Sequence, residues 1–148
     1  MRYTVYLSGE IHTDWRDQIR SAVESKALPI DILTPNTDHE SSDECGVQIM
    51  GGEEKPFWKD HKAAKLNSIR HMTAIHRSDI VVVRFGDKYK QWNAAFDAGV
   101  AAALGKSVIV EHAAELTHPL KEIDAAAMAV AENTDQVISM LEYLCREY

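Results

Sequence analysis

Positive charge is in short supply in this chain. Its 16 Lys and Arg stand against 23 Asp and Glu, a net charge of −7. Polymeric nucleic acid is held largely by cations on phosphates, so DNA and RNA are not expected as partners, whereas a small nucleoside-like ligand is allowed. Long apolar runs are missing too. No stretch approaches the ~18 residues that a membrane helix needs, and the start, MRYTVYLSGEIH, carries no apolar secretory segment. Cysteine is scarce: Cys45 and Cys145 form no C-x-x-C pair, which predicts reduced thiols and a cytoplasmic location. There is no Walker A motif, no G-x-G-x-x-G and no His-Glu-x-x-His, and the seven histidines lack ligand spacing. Neither a metal nor another cofactor is expected. Ser8 has no G-x-S-x-G context, which disfavours an α/β-hydrolase.

What is present is the pattern of one α/β domain spanning 1–148. At 45% apolar and 26% charged residues, the composition is that of a globular protein with an ordinary core. YTVYL, 3–7, reads as a buried strand running into a Ser-Gly turn. Thr13 and Asp14 offer N-caps for a helix to about Lys26, and IDILTP, 30–35, is a strand stopped by Pro35. Residues 36–58 show no period and read as a long acidic loop, a candidate lid hinged at Gly51-Gly52. A helix over about 59–77 follows. SDIVVVRFGD, 78–87, has the continuous apolar centre of a strand buried on both faces. Helix 91–104 ends at Gly105, strands follow at 107–112 and 126–131, and a helix N-capped by Thr134 closes the chain. Strands alternating with helices predict a flavodoxin-like doubly wound sheet of five parallel strands, order 2-1-3-4-5, with helices on both faces.

In that topology ligands bind at the carboxyl ends of the strands where the order reverses, between the first and third. Ser8, Gly9, Glu10 and His12 lie at one of those ends. Arg84, Phe85, Gly86 and Asp87 lie at the other, and the helix beginning near Gln91 points its N-terminus there. Within that apolar helix, Asn93 and Asp97 are four residues apart and share a face. Asp97 reads either as a carboxylate bonded to a neighbouring group or as a ligand-site residue. Trp15 and Trp92 are open between core packing and stacking on a base, and His12 and His39 between solvated and functional roles.

The runs YLSGEIHTDW, SDIVVV and AAFDAGVAAALGKSVI resemble the nucleoside 2-deoxyribosyltransferases. Those have a tyrosine strand before a Gly turn, a strand headed by Asp, and a helix with Glu-x-Gly-x-Ala. FGDKYKQWNAAFDAG and YTVYLSGEIHTDWR further resemble the YtoQ-type bacterial proteins, related in fold, over nearly the whole chain. The resemblance implies a nucleophilic carboxylate at Asp97, where the family has Glu, attacking the anomeric carbon of a nucleoside. It implies a substrate contact at Asp87 and a pocket around Tyr6, Ser8, Gly9 and Glu10. A family Asp on the preceding helix is replaced by His71, and the approach to the helix is the bulky KYKQWN. Glu10 or Asp87 would protonate the departing base or activate water. Three function classes follow: an enzyme of N-glycosidic bonds (deoxyribosyltransferase-like or a nucleoside hydrolase), a nucleoside-binding sensor without chemistry, and an oligomeric structural protein. Small residues all around helix 92–104 predict a homodimer or larger, and the resemblance implies sites completed by a neighbour, with Tyr148 as one contribution.

Overall fold

A computed structural model describes residues 1–88 and 90–147, the side chain of His39 excepted. The suggested roles of Tyr148 and of the His39 side chain therefore lie outside the described residues. Five strands, β1 (Tyr3–Gly9), β2 (Ile30–Leu33), β3 (Ile80–Arg84), β4 (Ser107–Glu111) and β5 (Ala129–Ala131), form one sheet. Its order is β2-β1-β3-β4-β5 and every pairing is parallel. Around it lie α1 (Trp15–Ser25), α2 (His39–Met50), α3 (Pro56–Arg77), α4 (Trp92–Ala103), α5 (Lys121–Ala126) and α6 (Thr134–Leu144). Among the described residues no helix is long and apolar enough to cross a membrane. The flavodoxin-like doubly wound arrangement is the one expected from the alternation of elements.

Strand periodicity divides the core in two. Val5, Leu7, Val82 and Ile109 pack on one face with Trp15 and Ile19 of α1 and Val137 and Leu141 of α6. Tyr6, Val81, Val83, Val108 and Val110 pack on the other with Ile75 of α3 and Ala94, Ala98 and Ala101 of α4. Alanines on the buried side of α4 let its backbone lie close to the sheet.

Residues 36–58 depart from the sequence reading: they contain a helix. Asp38 caps α2, its carboxylate accepting from the Ser41 amide at 2.9 Å, and Pro56 opens α3 three residues earlier than expected. α2 has few apolar residues, so no amphipathic stripe marks it. It packs on α3 through Gly46, where a Cβ would fall 2.5 Å from the Ala63 amide nitrogen. Three boundaries also shift. β2 ends at Leu33, β5 begins at Ala129, and α6 is capped by Asn133, which accepts from the Gln136 amide at 3.0 Å. The Thr134 hydroxyl turns instead to Glu111, at 2.9 Å.

The turn after β1 is held by a buried arginine. Arg16 donates to the carbonyls of Leu7 and Gly9 at 3.0 Å and of Glu10 at 2.6 Å, and the Trp15 indole N–H donates to the Glu10 carbonyl at 3.0 Å. Burial lowers the Arg16 pKa to about 10, which leaves it charged at neutral pH. Gly9 makes the turn possible. Its φ is +111° and a Cβ there would meet the Arg84 carbonyl oxygen at 2.1 Å. Gly9→Ala is expected to cost at least ~2 kcal/mol, through a left-handed conformation and a backbone clash. Urea unfolding reads this as a lower midpoint; an unchanged midpoint would contradict the role given to Gly9.

Candidate functional site

At the carboxyl end of β1 a cavity of about 620 Å³ opens between the α2–α3 hairpin and α4. Tyr6 and Ser8 of β1, His71 and Met72 of α3, and Asn93, Phe96 and Asp97 of α4 line it. A larger, mostly apolar cavity of about 730 Å³ lies at the opposite end of the sheet, by Tyr3, Ile80, Met128 and Met140. None of the candidate residues lines that one, so the chemistry is sought in the first.

Asp97 is the centre of the site. It is 4% exposed, and the Ser8 hydroxyl donates to its Oδ2 at 2.6 Å. Burial raises its pKa; the Ser8 hydrogen bond and the charge of His71 oppose the rise without cancelling it. Tyr6 lies beside it, fully buried, and among the described residues its hydroxyl has no hydrogen-bond partner. Burial, and secondarily the Asp97 charge, push the phenol pKa well up, so it is a neutral donor. An orphaned buried hydroxyl costs ~1–3 kcal/mol, which a polar ligand group in the cavity would relieve. The first turn of α4 also faces this space, with Asn93 and Ala94 on the lining.

The remaining candidates separate from Asp97. Gly9 lines the cavity by its backbone. Glu10 and Arg84 meet on the opposite face of the sheet. Glu10 Oε2 accepts from the amides of His12 at 2.6 Å and Thr13 at 3.1 Å, while Oε1 accepts from the Thr13 hydroxyl and from Arg84 Nε at 3.0 Å. Burial pushes the Glu10 pKa up, but the Thr13 hydroxyl, the His12 amide and Arg84 outweigh it and hold the carboxyl below its ordinary value. Arg84 also pairs with the buried Glu111 and donates to the Thr134 hydroxyl at 3.2 Å. Gly86 abuts Glu10, and its amide donates to the Gln91 side chain at 2.9 Å. Asp87 and His12 are exposed and neither is on the cavity lining. Trp92 is 73% exposed and off the lining, and Trp15 is a core residue. Phe96, Asn67 and Ser68, absent from the sequence reading, do line it; for Asn67 and Ser68 the signal is their helical spacing with His71 and Met72 on α3. Among the described residues no group of three or more His, Cys, Asp or Glu could hold a metal ion.

Comparison with known proteins adds three findings. A family model described as nucleoside 2-deoxyribosyltransferase YtoQ matches residues 6–145. The uncharacterized protein YtoQ of Bacillus subtilis (strain 168) is 42% identical over 144 residues, 97% of each chain. Among solved structures, a conserved protein from Enterococcus faecalis V583 superposes with a TM-score of 0.64 at 12% identity, over 97% of this chain and 99% of that one. A 2-deoxyribosyltransferase from the psychrotolerant bacterium Bacillus psychrosaccharolyticus does so at 0.53 and 18%, over 93% and 95%. At those identities the structural likeness is one of fold.

The raised Asp97 pKa carries a stability consequence. The fold favours the protonated carboxyl, so this contribution is complete below the unfolded-state pKa and is lost as pH rises through the folded one. At neutral pH, above the ordinary carboxylate range, Asp97 therefore weakens the fold. Asp97→Asn, always neutral, is expected to raise the melting temperature by a few degrees at pH 7, with the gain shrinking toward pH 4. Thermal melts across that range test it, and an Asn variant less stable at pH 7 would contradict it.

Proposed function

We infer the function from one premise: the chain belongs to the nucleoside 2-deoxyribosyltransferase YtoQ family. We propose that it cleaves or transfers the N-glycosidic bond of a small nucleoside, with Asp97 as the nucleophile. The observation that carries this reading is the buried Asp97, held by Ser8 on the wall of a 620 Å³ cavity. Ser8 occupies Oδ2 and leaves Oδ1 to attack the anomeric carbon. As that C–O bond forms the C–N bond breaks, and the base leaves with a proton from His71, which faces the same space. The resulting glycosyl ester is opened by water in hydrolysis or by a second base in transfer, and the proton released returns to His71. The neutral Tyr6 hydroxyl is placed to donate to the sugar or to the reacting carboxylate.

Asp97→Asn is expected to abolish base release from 2′-deoxynucleosides while leaving the fold intact. Ser8→Ala removes a hydrogen bond that lowers the Asp97 pKa, so the acid limb of the pH–rate profile should move to higher pH. Chromatography of released base reads both. Turnover by Asp97→Asn equal to the parent's would remove the nucleophile, and nucleoside binding without turnover in the parent would leave a binding module.

The reading includes a homo-oligomer. Trp92, Gly99 and Ala103 form an exposed stripe along α4, with Phe96 at its edge on the cavity side, where a helix on a monomer's surface would carry charge. A second copy related by a two-fold axis is the simplest cover. Ala103→Glu on that stripe is expected to lower the mass seen by light scattering, and a parent that is already a monomer at micromolar concentration would refute the assembly.

A further inference from the structure

We propose that Phe96 is the face on which the substrate's base stacks, so that the cavity selects planar aromatic leaving groups. The proposal rests on the nucleoside reading and gives it a specificity residue. Phe96 lines the cavity yet is 62% exposed. The described lining carries two other aromatic rings: Tyr6, which is fully buried and presents a hydroxyl, and the imidazole of His71, which is given the proton. The other exposed aromatics near the α2–α3 hairpin are already engaged: Phe57, Trp58 and His61 pack on one another with centroids 4.9 to 6.0 Å apart, off the lining. Phe96 and Asp97 both belong to α4 and both line the same cavity. From α3 the lining takes the small Ala63, Ala64 and Ser68 as well as His71 and Met72.

Base-on-aromatic stacking changes affinity by about 5- to 150-fold per base and tolerates any base with a π-face. Phe96→Leu keeps apolar volume and removes the ring face, while Phe96→Trp enlarges it. The probes are 2′-deoxyadenosine, thymidine and free adenine, titrated by calorimetry and by the proton chemical shifts of the base. The Leu variant is expected to bind deoxyadenosine and adenine about 5- to 150-fold more weakly and to lose the upfield ring-current shift of the base protons. The Trp variant should retain both. Light scattering and a melting curve confirm that assembly and fold are those of the parent. Unchanged affinity in the Leu variant overturns the proposal. So does a loss confined to deoxyadenosine, which would place the effect at the sugar, or a loss that tracks dissociation of the oligomer. A parent that binds none of the three probes refutes the nucleoside reading itself, an outcome visible before any variant is made.

Discussion

The site depends on a single guanidinium. Arg16, 5% exposed, gathers the carbonyls of Leu7, Gly9 and Glu10 where β1 runs out of sheet partners. Hydrogen bonds from a charged donor are worth ~1.5–3 kcal/mol each. Set against the cost of burying the charge, they bind the turn to α1 and fix where each side chain after β1 points.

That turn separates charges that would otherwise collide. By strand alternation Ser8 and Glu10 belong on one face. Gly9, at φ +111°, breaks the alternation and carries Glu10 to the α1/α6 side, where Arg84 meets it. Arg84 there serves two buried carboxylates, Glu10 and Glu111. On the other side Asp97 has no cation in a salt bridge with it among the described residues, only the Ser8 hydroxyl and the more distant His71. One carboxylate is saturated and held ionised; the other is desolvated and raised. Environments that push two carboxylates apart in this way give them different chemical capacities.

This division was hidden from sequence, whereas the frame was not. The unbroken Ile80–Val83 run, the Gly-terminated α4 and the alternation of elements mark the sheet order directly, because both burial and crossover handedness follow from pattern. Topology likewise points to the strand ends that hold Ser8, Glu10 and Arg84, and to α4, which carries Asp97. It does not say which side of the sheet each occupies, since that turns on one backbone angle at Gly9. α2 was illegible for a different reason: it docks by Gly46 against Ala63, a close backbone contact with no apolar stripe. Phe96 was passed over for Trp15 and Trp92, which have the larger rings, because helical phase relative to the cavity is set by packing.

Packing also bears on the shorter arm of Asp97. Where the sequence resemblance implies a Glu, this chain carries a side chain one methylene shorter. Here α4 faces the sheet through Ala94, Ala98 and Ala101, each almost fully buried against Tyr6, Val81, Val83, Val108 and Val110. Residues that small seat the helix backbone near the strands, and the short Asp97 arm still reaches Ser8 at 2.6 Å. Helix seating and carboxylate length are thus linked. A longer acid on a helix this close would be driven toward the Tyr6 ring, so the alanines beneath α4 and the Asp within it are parts of one geometric solution.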